Sequence, residues 1–198
     1  MALLDLLKKR HSEYVLSNAI TVSETEIEST LKDILVHTPS AFHSQSQRMV
    51  LLLGQDHEGF WNHLIDVMKN IVQGEQFEQT KSKLLMFKKG YGTVLFFDDM
   101  ETIEKLQAQF PMYKANFTKW SLEQNGMLQS NVWVGLTELG LGGSLQHYNE
   151  LVDAYVKKQY DIPEKWELRA QMPFGKVVEP ASAKPAMDLG KRFYIKKS

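Results

Sequence analysis

Residues 91–99 read YGTVLFFDD. β-Branched and aromatic side chains fill the stretch and an acidic pair closes it, the composition of a strand. Working outward, MVLLL at 49–53 is a continuous apolar run between Arg48 and Gly54 and reads as a buried strand; WELRAQMPFG at 166–175 reads as a third. Between and around these runs the spacing of apolar residues is helical. ALLDLLKKR at 2–10 puts Leu3, Leu4 and Leu7 on one face. In TVSETEIESTLKDILVHTP at 21–39, Ser23 and Glu26 form a capping box, Ile27, Leu31, Ile34 and Leu35 follow at helical spacing, and Pro39 ends the run.

Phe60, Leu64, Val67, Met68 and Ile71 make 60–72 another helix, and 73–89 is polar, then mixed, as a cap over the sheet would be. A short helix is expected over 99–109 and an amphipathic one over 149–159. The long helix at 121–139, stopped by Gly140, has an unusually wide apolar set: Met127, Leu128, Val132, Trp133, Val134, Leu136 and Leu139. Such a helix is central to the fold or lies at a subunit interface. After the third strand, VVEPASAKPAMDLG is a Pro/Ala-rich excursion, and KRFYIKK at 191–197 is expected to add a final strand. Helices before, between and after strands, with no regular βαβ rhythm, give an α+β class, and 198 residues suit one domain over 1–198.

Composition narrows the functional classes. Apolar residues at 43%, charged residues at 24% and a formal charge of -1 are ordinary globular values and give no reason to expect nucleic acid. The chain has no Cys, which excludes disulfides, zinc–thiolate sites and a thiol nucleophile. No apolar run of membrane-spanning length and no signal-type opening occurs, so the expectation is a cytoplasmic protein with no membrane partner. The phosphate-loop, dinucleotide, nucleophile-elbow and zinc-protease patterns are all missing. His57 and His63, six apart in an acidic amphipathic stretch, are poorly spaced for a metal. No catalytic residue and no metal ligand is assigned.

Three polar clusters remain. KKRHS at 8–12 gathers cations, an imidazole and a hydroxyl in one turn; alone it reads as a solvated helix end. SAFHSQS at 40–46 is dense in small polar residues at the mouth of a buried strand; alone it reads as turn chemistry. GKR at 190–192 alone reads as surface charge. Taken together, basic groups at both ends of one chain suit a phosphate monoester, whose dianion asks for several charge-assisted donors.

The order ALLDLLKKRHS, HTPSAFHSQSQR, KKGYGTVLFFDD, WSLEQNGMLQSNVWVGLTELGLGGSLQHYN, WELRAQMPFG resembles the FMN-dependent nitroreductase family across nearly the whole chain. It is most similar to the short subgroup named for yeast fatty-acid-repression and bacterial stress-induced nitroreductases. That resemblance implies a central antiparallel sheet flanked by helices, in an intertwined homodimer with two FMN molecules at its interface. It implies that Arg10, His11 and Ser12 grip the FMN phosphate with Lys191 and Arg192, and that Ser40, Ser44 and Gln45 approach the flavin ring and ribityl chain. Gln146 and His147 would bring backbone donors to the pyrimidine end, with Lys83 as a further ring contact.

His43 stands where the family pattern has Asn, and Gln47 where the subgroup often has an aromatic. Imidazole offers one donor and one acceptor, as an amide does, at a different reach. The activity implied is ping-pong hydride transfer from NAD(P)H through FMN to a nitroaromatic or quinone, at a face lined by Phe42, Tyr91 or Trp120. Two further readings remain open from sequence: a flavin-binding, redox-responsive or lipid-signalling regulator with little turnover, and a helix-rich interaction protein without cofactor.

Overall fold

The structure is a computed structural model describing residues 2–182 and 184–197. In chain order its elements are α1 (Leu3–Lys9), β1 (Val15–Ser17), α2 (Glu24–His37), β2 (Gln47–Leu53), α3 (Gly54–Ile71), α4 (Gly74–Lys88), β3 (Gly92–Asp99), α5 (Met100–Gln109), α6 (Lys114–Glu138), β4 (Gly142–Gly143), α7 (Asn149–Gln159) and β5 (Trp166–Glu179). Three short 3-10 turns complete them, at Ala41–His43, Pro111–Tyr113 and Leu189–Lys191.

The strands form one antiparallel sheet in the order β1–β5–β3–β2, with β4 also pairing to β5. β3 lies between two long neighbours and is buried from Gly92 to Asp98, which is why its sequence is a continuous apolar run. The pleat still sorts its side chains. Val94 and Phe96 join Ile27, Leu31, Leu128, Val132 and Leu136, so α2 and α6 cover that face. Leu95 and Phe97 join Phe60, Trp61, Leu64, Leu84, Phe87 and Val152, so α3, α4 and α7 cover the other. Phe60, Trp61 and Leu64 are fully buried, and each contributes about 1.5–3 kcal/mol by leaving water.

A bulge between Phe96 and Phe97 leaves Arg169 of β5 without a ladder partner, and its Nε donates to the fully buried Asp98 carboxylate at 2.8 Å. Ser23 caps α2 by accepting from the Glu26 N–H at 3.2 Å, and α2 ends two residues before Pro39.

Several elements differ from the sequence reading. The long helix begins at Lys114, not 121, because the Pro111–Tyr113 turn feeds straight into it. Residues 74–88 are a helix in their own right, anchored only by Leu84 and Phe87, too few to show as a stripe. Val177–Glu179 belong to β5 and pair with β1, a three-residue strand too short to announce itself. The expected strand at 191–197 does not form within the chain. Residues 184–197 are exposed, and after the Leu189–Lys191 turn they pair with no strand among the described residues. Where that tail leaves the body, the buried Glu13 accepts from the Ala181 N–H at 2.8 Å.

Candidate functional site

Between Pro39 and β2 the chain folds back onto α6, and one buried side chain holds it there. Gln124 is 3% exposed; its Oε1 accepts from the Ala41 N–H at 2.9 Å, and its Nε2 donates to Ser46 Oγ at 2.7 Å and Ser44 Oγ at 3.2 Å. Ser40 Oγ accepts from the Gln45 N–H at 2.9 Å. These bonds hold three non-glycine residues in the left-handed region: Phe42 at φ 54°, His43 at 52° and Gln45 at 48°. Each costs on the order of 1–2 kcal/mol, and strain of this kind collects at functional sites. Ser40 and Ser44 use their oxygens as acceptors, so each keeps a hydroxyl proton to donate. His43 and Gln45 are exposed, with their Nε2 atoms 2.6 Å apart, so the imidazole accepts there from the amide.

The strained backbone also aims Phe42. Its ring lies 5.0–5.9 Å from the rings of Phe110, Tyr113, Phe117 and Trp120 and stays 49% exposed. Beside it opens a cavity of about 390 Å³ lined by Pro39, Ser40, Phe42, Trp120, Glu123 and Met127, a size that suits a planar organic molecule. Tyr91 lies elsewhere, donating to Glu24 Oε2 at 3.1 Å, with burial raising its phenol pKa. Gln47 is buried and donates to the Pro39 carbonyl at 3.2 Å and the Gln124 carbonyl at 3.4 Å, so it stitches the loop to α6 and forms no wall of the cavity.

The second cluster lies where α1 ends. The Arg10 N–H closes the helix on the Leu6 carbonyl, and its guanidinium carbon sits 4.3 Å from the centre of the Trp133 ring. Among the described residues Arg10 has no carboxylate partner. Among the described residues the buried Trp133 Nε1 has no hydrogen-bond acceptor, an omission worth about 1–3 kcal/mol. His11 is exposed, and Ser12 forms a parallel bridge to Gly143, where a Cβ would lie 2.8 Å from the Pro173 carbonyl oxygen. Lys83 of α4 sits instead 5.9 Å from the Tyr14 ring and 5.6 Å from that of Phe87, which packs on the other face of the sheet from Trp133.

Gln146 pairs with Gln171 in a two-way backbone bridge, its N–H donating at 2.7 Å. That N–H is therefore taken, contrary to the expectation that it serves a ligand. The His147 side chain is exposed. Lys191 and Arg192 lie on the exposed tail, and among the described residues no hydrogen bond or ion pair joins them to Arg10.

The residues expected at one site thus fall into separate groups. Gln124, which holds the serine loop, and Trp133, which underlies Arg10, are nine positions apart on α6. At 1.5 Å and 100° per residue they are about 13 Å apart along the axis and on opposite sides of the helix. Sequence reasoning missed both. Both lie inside the 120–149 segment that carries the resemblance, but no role attaches to either there, and each looks like an ordinary member of a mixed helix.

Known structures share this architecture. The nitroreductase CinD from Lactococcus lactis superposes with a TM-score of 0.93 at 37% identity in its complex with nicotinic acid. Its complexes with chloramphenicol and 4-nitrophenol give 0.91 and 0.90 at 36% identity. All three cover 99% of this chain and 100% of that one. A Desulfitobacterium hafniense nitroreductase with bound FMN shares the fold at 14% identity, with a TM-score of 0.73 and 98% of each chain covered. The fold is that of the nitroreductases, an oxidoreductase scaffold. The Saccharomyces cerevisiae protein HBN1 is 33% identical over 195 residues, covering 98% of this chain and 93% of that protein. The profile of the nitroreductase family matches residues 7–176, and the chain belongs to that family.

Proposed function

We propose that this protein is a cytoplasmic, homodimeric FMN-dependent oxidoreductase that takes hydride from NAD(P)H and reduces nitroaromatics or quinones. The observation that carries the reading is the Ser40–Ser46 loop: a strained, donor-bearing segment fixed by Gln124 beside an aromatic-walled cavity of about 390 Å³. The residues fit a phosphorylated, flat cofactor. Arg10 offers a guanidinium with no carboxylate partner among the described residues, and the Ser40 and Ser44 hydroxyls retain protons suited to the carbonyls and nitrogens of a flavin edge.

The same geometry supports a homodimer. One chain holds the two half-sites on opposite sides of α6, and on this reading a second copy docked on α6 supplies its basic turn to the first copy's loop. Leu122 and Met127 leave α6 about half exposed, as a face awaiting a partner would be.

When bound, the flavin supplies the two-electron chemistry. The chain's own residues bind and orient. Arg10, with His11 and Ser12, takes the phosphate; Ser40 and Ser44 donate to the ring edge; the His43–Gln45 pair offers an imidazole where an amide is usual. Phe42 and Trp120 form an apolar wall that excludes water and accepts a planar partner by stacking. One cavity serves reductant and oxidant in turn, which gives ping-pong kinetics. The ligands in the CinD complexes are aromatic, and 4-nitrophenol carries the nitro group this reading requires.

Purified protein is expected to be yellow, to release FMN on denaturation, and to bleach when NADH or NADPH is added anaerobically. Steady turnover of a nitroaromatic or quinone should follow. Yellow protein that neither donor bleaches within minutes would defeat the oxidoreductase assignment.

A further inference from the structure

We infer that Trp133 is a positioning residue that selects a phosphorylated flavin. It holds the Arg10 guanidinium flat, so that the arginine's in-plane donors fan toward the phosphate. The inference rests on the reading of Arg10 as the phosphate ligand and deepens it.

At 4.3 Å the guanidinium carbon is well inside the roughly 6 Å over which an aromatic face attracts a cation. All five guanidinium N–H bonds lie in one plane, so in the proposed arrangement, with that plane laid on the ring, they point outward in a fork with few rotamers left to freeze on binding. The platform itself is rigid. Trp133 sits on α6 and packs against the core cluster that contains Val132 and Leu136.

Packing alone does not explain an indole here. Its Nε1–H is buried with no acceptor among the described residues, whereas a phenylalanine would fill the wall without burying a donor. What tryptophan adds beyond packing is the strongest face for a cation among the aromatic side chains. An indole whose donor is unsatisfied among the described residues, directly beneath an arginine with no carboxylate partner among them, points to a binding role.

The test compares FMN with riboflavin, which differs by the phosphate alone. Dissociation constants for both are measured by flavin fluorescence titration of apoprotein. Trp133→Phe should weaken FMN about 3- to 10-fold and leave riboflavin unchanged. Its denaturant midpoint should stay equal to or above that of the parent. Trp133→Leu, with no aromatic face, should lose more FMN affinity and again spare riboflavin. In an Arg10→Ala background, Trp133→Phe should have no further effect, because the platform then has nothing to hold.

The inference is overturned if Trp133→Phe leaves FMN binding unchanged, weakens both flavins equally, or acts in full without Arg10. Arg10→Ala alone separates the two layers. FMN-selective loss there, with none in Trp133→Phe, overturns the inference about Trp133 only. Equal loss of both flavins in Arg10→Ala overturns the reading of Arg10 and the inference with it.

Discussion

At the scale of single residues, His57 shows how a side chain with a plain sequence context acquires a defined role. It is 2% exposed. Its Nε2 meets the Lys88 carbonyl at 3.0 Å and its Nδ1 meets Thr93 Oγ1 at 2.8 Å, while the Trp61 indole donates to that same hydroxyl at 2.9 Å. Neutral imidazole satisfies the whole set: Nε2–H donates to the carbonyl and Nδ1 accepts from the threonine. Burial lowers the His57 pKa below its ordinary 6.5, outweighing the Lys88 carbonyl and Glu58, which pull the other way. The unfolded chain therefore protonates first, and stability is lost as pH falls through about 6.5 toward the lower folded value. Urea unfolding at pH 7.5 and 5.5 should show that loss, and His57→Gln should make it shallower, with His63, also lowered by burial, supplying the remainder. An identical slope in the variant would remove His57 from the account. Nothing in the sequence near His57 announces this, since its partners lie 31 and 36 residues away. Arg10, Ser40 and Ser44 were open to proposal from sequence because a recognisable segment carries each. Gln124 and Trp133 were not, because what they hold is distant in the chain.

At the scale of elements, long and strongly patterned pieces could be read and short ones could not. β2 and β3 show as dense apolar runs and β5 as a longer mixed one, whereas β1 and β4, three and two residues long, exist only because β5 is there to pair with them. Close approaches between elements are equally invisible beforehand. A Cβ on Gly175 of β5 would stand 2.5 Å from the Ser17 carbonyl oxygen and 3.0 Å from the Tyr91 nitrogen, both backbone atoms that cannot swing aside. A Cβ on Gly135 of α6 would meet Ile34 Cδ1 at 2.4 Å, the movable end of a side chain. Gly175→Ala should therefore cost about 1–3 kcal/mol of stability by overpacking. Gly135→Ala should fall within about 1 kcal/mol of the parent, since its gain of up to about 1 kcal/mol in helix propensity offsets the repacking of Ile34. Chemical denaturation of both variants checks the pair, and equal losses would show that sheet and helix crossings tolerate crowding alike.

At the scale of the whole molecule, the feature that most resists a linear reading is the placement of the half-sites. A resemblance supplies residues in order, yet it does not say that Gln124 and Trp133 face opposite ways on one helix. The tail is the other such feature. Met187, Leu189, Phe193, Tyr194 and Ile195 are 63–72% exposed, among five basic residues and one acid between 184 and 197. Apolar side chains left this open suit an arm closed over a second copy. Deleting the residues after Ala181 should lower the mass by sedimentation from twice that of the 22.8 kDa chain to a single copy, and should weaken FMN retention. A truncated protein that stays paired would assign the contact to α6 alone. Glu13, three places beyond Arg10, moors that outgoing arm through the Ala181 amide. The arm is thereby tethered beside the turn that carries Arg10, so on the proposed dimer reading the reach over a second copy and the phosphate corner share one anchor.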